Sequence, residues 1–175
     1  TGVQTCSALP YAGGLEKALK SRPAAFFHKD NARLITVGNT EDDFDKLKDY
    51  DLVIEAIIEK MEAKQDLLAR LEKVVPAHCI VASNTSGLKV DVMTKNSSTN
   101  LKQHFVVLHF FNPVRYMKLL EIVPGPETDP EVFAHVQKLA SDTLGKGVGT
   151  DPDGDIVDRE RVFIERHLIP LQARV

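Results

Sequence analysis

Asp51-Leu-Val-Ile-Glu-Ala-Ile-Ile58 is a nearly continuous apolar run of strand length. Such a run belongs to a strand buried on both faces, as parallel strands are. Directly after it, Met61 to Val75 carries Leu67, Leu68, Leu71 and Val75 at helical spacing, with Asp66 and Arg70 as an i,i+4 pair, and stops at Pro76. Cys79 to Ser83 is apolar again and ends in the polar turn Ser83-Asn-Thr-Ser-Gly87. Strand, amphipathic helix, strand is the unit of a parallel sheet, so the chain is expected to be an α/β protein with a mostly parallel sheet flanked by helices.

The same alternation extends both ways. Upstream, Leu15, Ala18 and Leu19 mark a short helix stopped by Pro23, and Arg33 to Val37, ended by Gly38, is expected to be the first strand. Thr1 to Gly14 shows neither period. Thr40 with Asp43 resembles a capping box before a short helix carrying Phe44 and Leu47. Downstream, a helix is expected over Val90 to Lys95, a polar loop over Asn96 to Asn100, and strands over Phe105 to Phe111 and Lys118 to Val123. Asp129-Pro130 then opens a helix that Gly145 stops. Gly145-Lys-Gly-Val-Gly149 follows that helix and does not precede one, so it reads as a helix stop and strand entry, not as a phosphate loop.

The 175 residues include 22 Lys+Arg against 25 Asp+Glu, a formal net charge of −3, which argues against a nucleic-acid binder held by a basic field. Hydrophobic residues at 43% and charged residues at 27% match a soluble globular chain with room for a real core. No run approaches the roughly 18 apolar residues of a membrane span, and no signal peptide is legible. Cys6 and Cys79 are too few for a disulfide framework and lack zinc-site spacing. Two free thiols in a reducing compartment are expected, the cytoplasm or, in a eukaryote, the mitochondrial matrix.

In open α/β sheets ligands bind outside the carboxyl ends of the strands. Three of those ends are polar in ways a core does not require: Glu55 and Glu59, Ser83 to Ser86, and His109 with Asn112. Glu121 lies inside the next strand, where an unpaired carboxylate is costly, and a pairing with His109 resolves the cost. Such a pair has the makings of a general base, although spacing alone favours a purely structural His–Glu pair. His28, His78, His104, His135 and His167 show no metal-ligand spacing and read as surface residues, with no metal site expected. Ser86 lacks the G-x-S-x-G context of a serine hydrolase.

Taken together, Asp51-Leu-Val-Ile-Glu-Ala-Ile-Ile-Glu59, Ser83-Asn-Thr-Ser86, His109-Phe-Phe-Asn-Pro113 and Met117-Lys-Leu-Leu-Glu-Ile-Val-Pro-Gly125 closely resemble the NAD-dependent 3-hydroxyacyl-CoA dehydrogenase family, over roughly Gly14 to Gly149. The resemblance implies a Rossmann-like fold and NAD as cofactor. It also implies oxidation of an (S)-3-hydroxyacyl-CoA to the 3-ketoacyl-CoA in fatty-acid β-oxidation. By the same likeness His109 matches the catalytic base and Glu121 its orienter. Glu59, Lys64 and Asn112 match positions beside the cofactor, and Ser86 matches a contact to both substrate and cofactor.

Two departures qualify the likeness. The family's opening strand and G-x-G-x-x-G loop have no match, so residues 1–150 read as a partial dinucleotide-binding domain, incomplete at the N-terminus. The chain, which starts at Thr1, is expected to be a fragment that binds NAD weakly and is inactive by itself. Asp151-Pro-Asp-Gly-Asp-Ile-Val-Asp-Arg159 stands where the family shows a D-T-P-G-F-I-V-N-R-like segment, so Asp158 replaces a substrate-binding asparagine with an anion. Residues 151–175 read as a linker and the first helix of a truncated C-terminal domain. The expected partners are the acyl-CoA substrate and either a second copy or a complementing polypeptide, with no nucleic acid or membrane. A non-catalytic remnant of the fold, or an acyl-CoA binding protein, is the competing reading.

Overall fold

A computed structural model of the chain describes residues 3–7 and 12–150. Asp158 and the helix expected after Arg159 lie outside the described residues. Five strands form the main sheet in the order β3 (Leu52–Glu55), β4 (Ile80–Ser83), β5 (Phe105–Phe110), β6 (Leu119–Pro124) and β7 (Gly147–Thr150). All pairings are parallel except β5 with β6, which is antiparallel. A separate parallel pair joins β1 (Val3–Ser7) to β2 (Ile35–Asn39). The first strand is therefore Val3–Ser7, not Arg33 to Val37. Of the expected Arg33–Val37 strand, Arg33 and Leu34 close a 3-10 helix (Lys29–Leu34) and Ile35 to Val37 lie in β2.

Helices cover both faces. The elements are α1 (Ala12–Lys20), α2 (Met61–Leu71), α3 (Val90–Met93), α4 (Thr99–Gln103) and α5 (Pro130–Lys138). Alternation along β5 sends Phe105 and Val107 into a core with Leu68 and Leu71 of α2, Met93 of α3 and Leu101 of α4. Val106 and Leu108 enter the opposite core with Leu120, Ile122 and Val136 of α5. Both faces of β4 to β6 are thus largely dry, and this is why those strands are apolar apart from Ser83, His109 and Glu121.

Local chemistry sets the boundaries. Asp129 caps α5 by accepting from the Glu131 N–H at 2.7 Å, with Pro130 at the first helical position. Gly145 ends the following turn with φ +62, the left-handed region that glycine enters without strain. Ser98 accepts from the Leu101 N–H and starts α4 inside what reads in sequence as a polar loop. Thr40 does not cap the short helix that follows: Phe44–Asp49 is a 3-10 helix whose N-cap Asp43 makes no side-chain cap bond. Asn39 instead holds the turn before it, accepting from the N–H groups of Glu41 and Asp42, while Asp43 accepts from Asn39 N–H.

The expectation that Asp51 to Ile58 is a doubly buried strand is corrected. Only Leu52–Glu55 is strand, and β3 is an edge whose outer side has no ladder partner among the described residues. Ile54 is 43% exposed and Ile58 61% exposed. An open edge beside exposed isoleucines is a template for pairing with another strand, and a charge placed there blunts it. The 175-residue chain expressed alone should sediment as associated species at micromolar concentration. Ile54→Lys should shift it toward monomer, whereas a cooperatively folded monomer in the unmutated chain would remove this expectation.

Candidate active site

The polar residues at the strand ends are brought together at the carboxyl end of the parallel ladder. Lys64, in the first turn of α2, is 1% exposed, and its ammonium donates to both oxygens of Glu55 at 2.8 and 2.9 Å. It also lies 3.5 Å from Glu59 Oε2. Ser83 donates its hydroxyl to Glu55 in a short hydrogen bond, and Glu55 Oε2 accepts from the Ile57 N–H. Every buried charge here has a partner, as burial demands.

Glu59 organises the turn after β4. Its Oε1 accepts from the Thr85 hydroxyl and from the N–H groups of Ser86 at 3.1 Å and Gly87 at 3.4 Å. Partial burial pushes the Glu59 carboxyl up, but the Thr85 hydroxyl, the Lys64 charge and the two N–H groups together hold it below its ordinary value. Ser86 itself is exposed, as is Asn112.

His109 and Glu121 are direct partners in the antiparallel register of β5 and β6, so their side chains leave the sheet on one face. His109 Nδ1 meets Glu121 Oε2 at 2.8 Å, and the two side chains are only 18% and 11% exposed. A carboxylate only accepts, so Nδ1 carries the proton and Nε2 is left as the basic nitrogen. Among the described residues Nε2 has no partner. The Phe111 ring, 4.6 Å away between centroids, packs beside the imidazole.

Sequence reading missed the residues that hold the loop after β5. Arg115 donates to the carbonyls of Ala24 and Phe26 and stacks on Phe27 at 4.0 Å. Lys146 donates to the carbonyls of Val114 and, at 2.7 Å, Met117. Its place between two glycines was legible, but not that its ammonium reaches back to that loop. Asn84, inside the Ser83-Asn-Thr-Ser86 motif, uses its Oδ1 to accept from the Phe110 N–H at 2.9 Å.

This arrangement has relatives. The family described as 3-hydroxyacyl-CoA dehydrogenase, NAD binding domain, matches residues 11–149. The chain belongs to that family. A probable 3-hydroxyacyl-CoA dehydrogenase of Deinococcus radiodurans is 49% identical over 152 residues, 86% of this chain and 44% of that protein. A putative fatty acid oxidation complex trifunctional enzyme of Rickettsia felis is 38% identical over 151 residues, 85% of this chain and 21% of that one. The structure of the 3-hydroxybutyryl-CoA dehydrogenase of Escherichia coli superposes with a TM-score of 0.74 at 27% identity, over 99% of this chain and 38% of that one. The chain thus spans less than half the length of these relatives.

Within a 3-hydroxyacyl-CoA dehydrogenase fold, the site can be tested for fit to a dinucleotide. The nicotinamide end fits: an unpartnered imidazole nitrogen at His109 lies on the strand next to the turn that presents the exposed Ser86, with the exposed Asn112 three residues beyond His109. The usual phosphate-binding signature, G-x-G-x-x-G, does not occur among the 175 residues. Lys64, with its ammonium fully buried against carboxylates, reaches any ligand only through Glu59.

Two measurements check these electrostatics. Lys64→Met strands the buried Glu55 carboxylate and should cost about 3 to 5 kcal/mol in urea unfolding. Adding Glu55→Gln should return most of it, and a costless single variant would contradict the pairing. Glu59 has a folded pKa below its ordinary 4.5. Its ionised form therefore contributes stability above that value and the contribution disappears as pH falls through the folded pKa. Glu59→Gln should flatten the acid limb of the stability curve below about pH 5, leaving the neutral range little changed in slope.

Proposed function

We propose that this chain carries the proton-handling and nicotinamide-facing part of an NAD-dependent 3-hydroxyacyl-CoA dehydrogenase of fatty-acid β-oxidation. The observation that carries the reading is the His109–Glu121 pair at 2.8 Å with Nε2 left open. Nε2 takes the 3-hydroxyl proton of an (S)-3-hydroxyacyl-CoA, and the ionised Glu121 stabilises the imidazolium that forms. NAD, when bound, accepts the hydride that leaves carbon 3. The O–H and C3–H bonds break, the carbonyl forms, and the proton stays on His109 until solvent removes it. In the reverse direction the same imidazolium protonates the alkoxide oxygen.

The remaining residues divide between substrate and cofactor. Ser86, exposed on a turn that Glu59 holds through two main-chain N–H groups, presents its hydroxyl to the reacting end of both. Asn112 offers a carboxamide to the nicotinamide side, and Glu59 with Lys64 behind it shapes the turn next to the cofactor. By the family resemblance alone, Asp158, outside the described residues, matches a substrate-binding asparagine and carries an anion in place of its amide.

In the native protein, NADH oxidation with acetoacetyl-CoA tests the reading. His109→Gln should lower kcat by about 10²- to 10⁴-fold, the usual worth of a general acid–base group. Glu121→Gln should also lower kcat, by less, because Nε2 keeps its place while the charge behind Nδ1 is lost. Undiminished turnover in His109→Gln would overturn the proposal, and acyl-CoA binding without any turnover in the unmutated protein would favour a binding role.

A further inference from the structure

We infer that Asn84 is a positioning residue for His109. Its carboxamide stands in for a missing rung of the sheet and fixes the peptide that follows the imidazole-bearing residue. The inference rests on the proposed role of His109 as base.

The hydrogen-bond pattern makes the case. In the parallel pair of β4 and β5, alternate residues of each strand face the other, and Val81 N–H donates to His104 O at 2.9 Å. The ladder ends at Ser83 opposite Val107, three residues before β5 itself ends at Phe110. By the same alternation, the next acceptor facing β5 would be the main-chain carbonyl of residue 85, and its donor the N–H of Phe110. Thr85 has already left the strand: its N–H bonds Ser83 Oγ and its hydroxyl serves Glu59. The Asn84 side chain fills that rung, with Oδ1 accepting from the Phe110 N–H at 2.9 Å.

Asn84 is anchored on its other side as well. Its own N–H donates to Glu55 O at 2.8 Å, at the same offset as Ile80 N–H to Asp51 O at 2.9 Å, so it is the last rung of the β3–β4 ladder. One residue therefore ties the ends of three strands. His109 is held on one side by its pairing with Glu121 on β6, and on the other between the last ladder rung at Leu108 and the next peptide, which Asn84 holds. Without Oδ1, the half-buried Phe110 N–H loses its partner and the end of β5 is free to shift. Displacements near 1 Å at a reacting group cost up to about 100-fold in rate.

The test uses the native protein, labelled with ¹⁵N in its histidines and its backbone. In the unmutated protein the Phe110 amide should exchange as slowly as the ladder amide of Leu108, and the His109 ring nitrogens should report the Nδ1–H form. Asn84→Ala should speed Phe110 exchange at least about tenfold relative to Leu108 and mix the two His109 tautomers. It should also lower kcat about 10- to 100-fold, with KM changed less than about twofold. Asn84→Asp keeps an acceptor oxygen at the same place and should restore Phe110 protection and the single tautomer. If Asn84→Ala leaves the His109 nitrogens and kcat unchanged while Phe110 exchanges fast, Asn84 is only a strand cap and the inference fails. An unprotected Phe110 amide in the unmutated protein also defeats it, whether or not the alanine variant folds. These readouts of geometry are independent of turnover, so they stand apart from any failure of the proposed reaction.

Discussion

The carboxyl end of the sheet depends on a buried ammonium. Lys64 lies in the first turn of α2, where the helix dipole disfavours a cation, and it is closed off from water. It is tolerable there only because Glu55 meets it with both oxygens and Glu59 stands 3.5 Å away. That requirement fixes the start of α2 above the ends of β3 and β4, and with it the turn from Ser83 to Gly87. Two carboxylates against one ammonium leave a surplus negative charge. The surplus falls on the partly exposed Glu59, where Thr85 and two main-chain N–H groups absorb it. The turn and the ion pair therefore form one unit, and neither has a reason to keep its shape without the other.

Reversal of direction between β5 and β6 supplies what a purely parallel sheet does not. In an antiparallel pair, residues directly opposite share a face with their side chains in contact. His109 and Glu121, twelve positions apart, meet by register alone, with no loop needed to deliver either one. The connection between them is correspondingly constrained. Arg115 anchors it to the carbonyls of Ala24 and Phe26, and Lys146, from beside β7, holds it by donating to its own Val114 and Met117 carbonyls. Long cationic side chains capping main-chain carbonyls make a tight loop out of residues that are themselves mostly exposed.

The legible parts of the fold were those where burial writes a pattern. Strands β4, β5 and β6 are dry on both faces and their apolar runs show it, and the Asp129-Pro130 start and the Gly145 stop follow from capping and positive φ. Edges were less legible. The run Asp51 to Ile58 has the composition of a central strand, yet its outer half is exposed, because composition reports what a segment prefers and not which neighbours it has. The strand Val3–Ser7 carries Gln, Thr, Cys and Ser, too polar for either period, and α4 hides in Ser98-Thr-Asn100, which reads as a loop until Ser98 is seen to cap it.

The candidate site divides in the same way. His109 with Glu121 was deducible because a carboxylate inside an apolar strand has to be answered, and a histidine on the neighbouring strand was the economical answer. The contributions of Asn84, Arg115 and Lys146 were not deducible, since each acts on main-chain atoms, and any residue offers a carbonyl or an N–H. Side chains that recognise side chains leave a trace in composition at both ends of the contact. Side chains that recognise backbone leave it at one end, where the null expectation for an asparagine in a turn or a lysine near a glycine is a solvated surface residue. The polar groups that set the geometry of a strand-end site are therefore the ones a single sequence hides, even where the groups that carry its charge are in plain view.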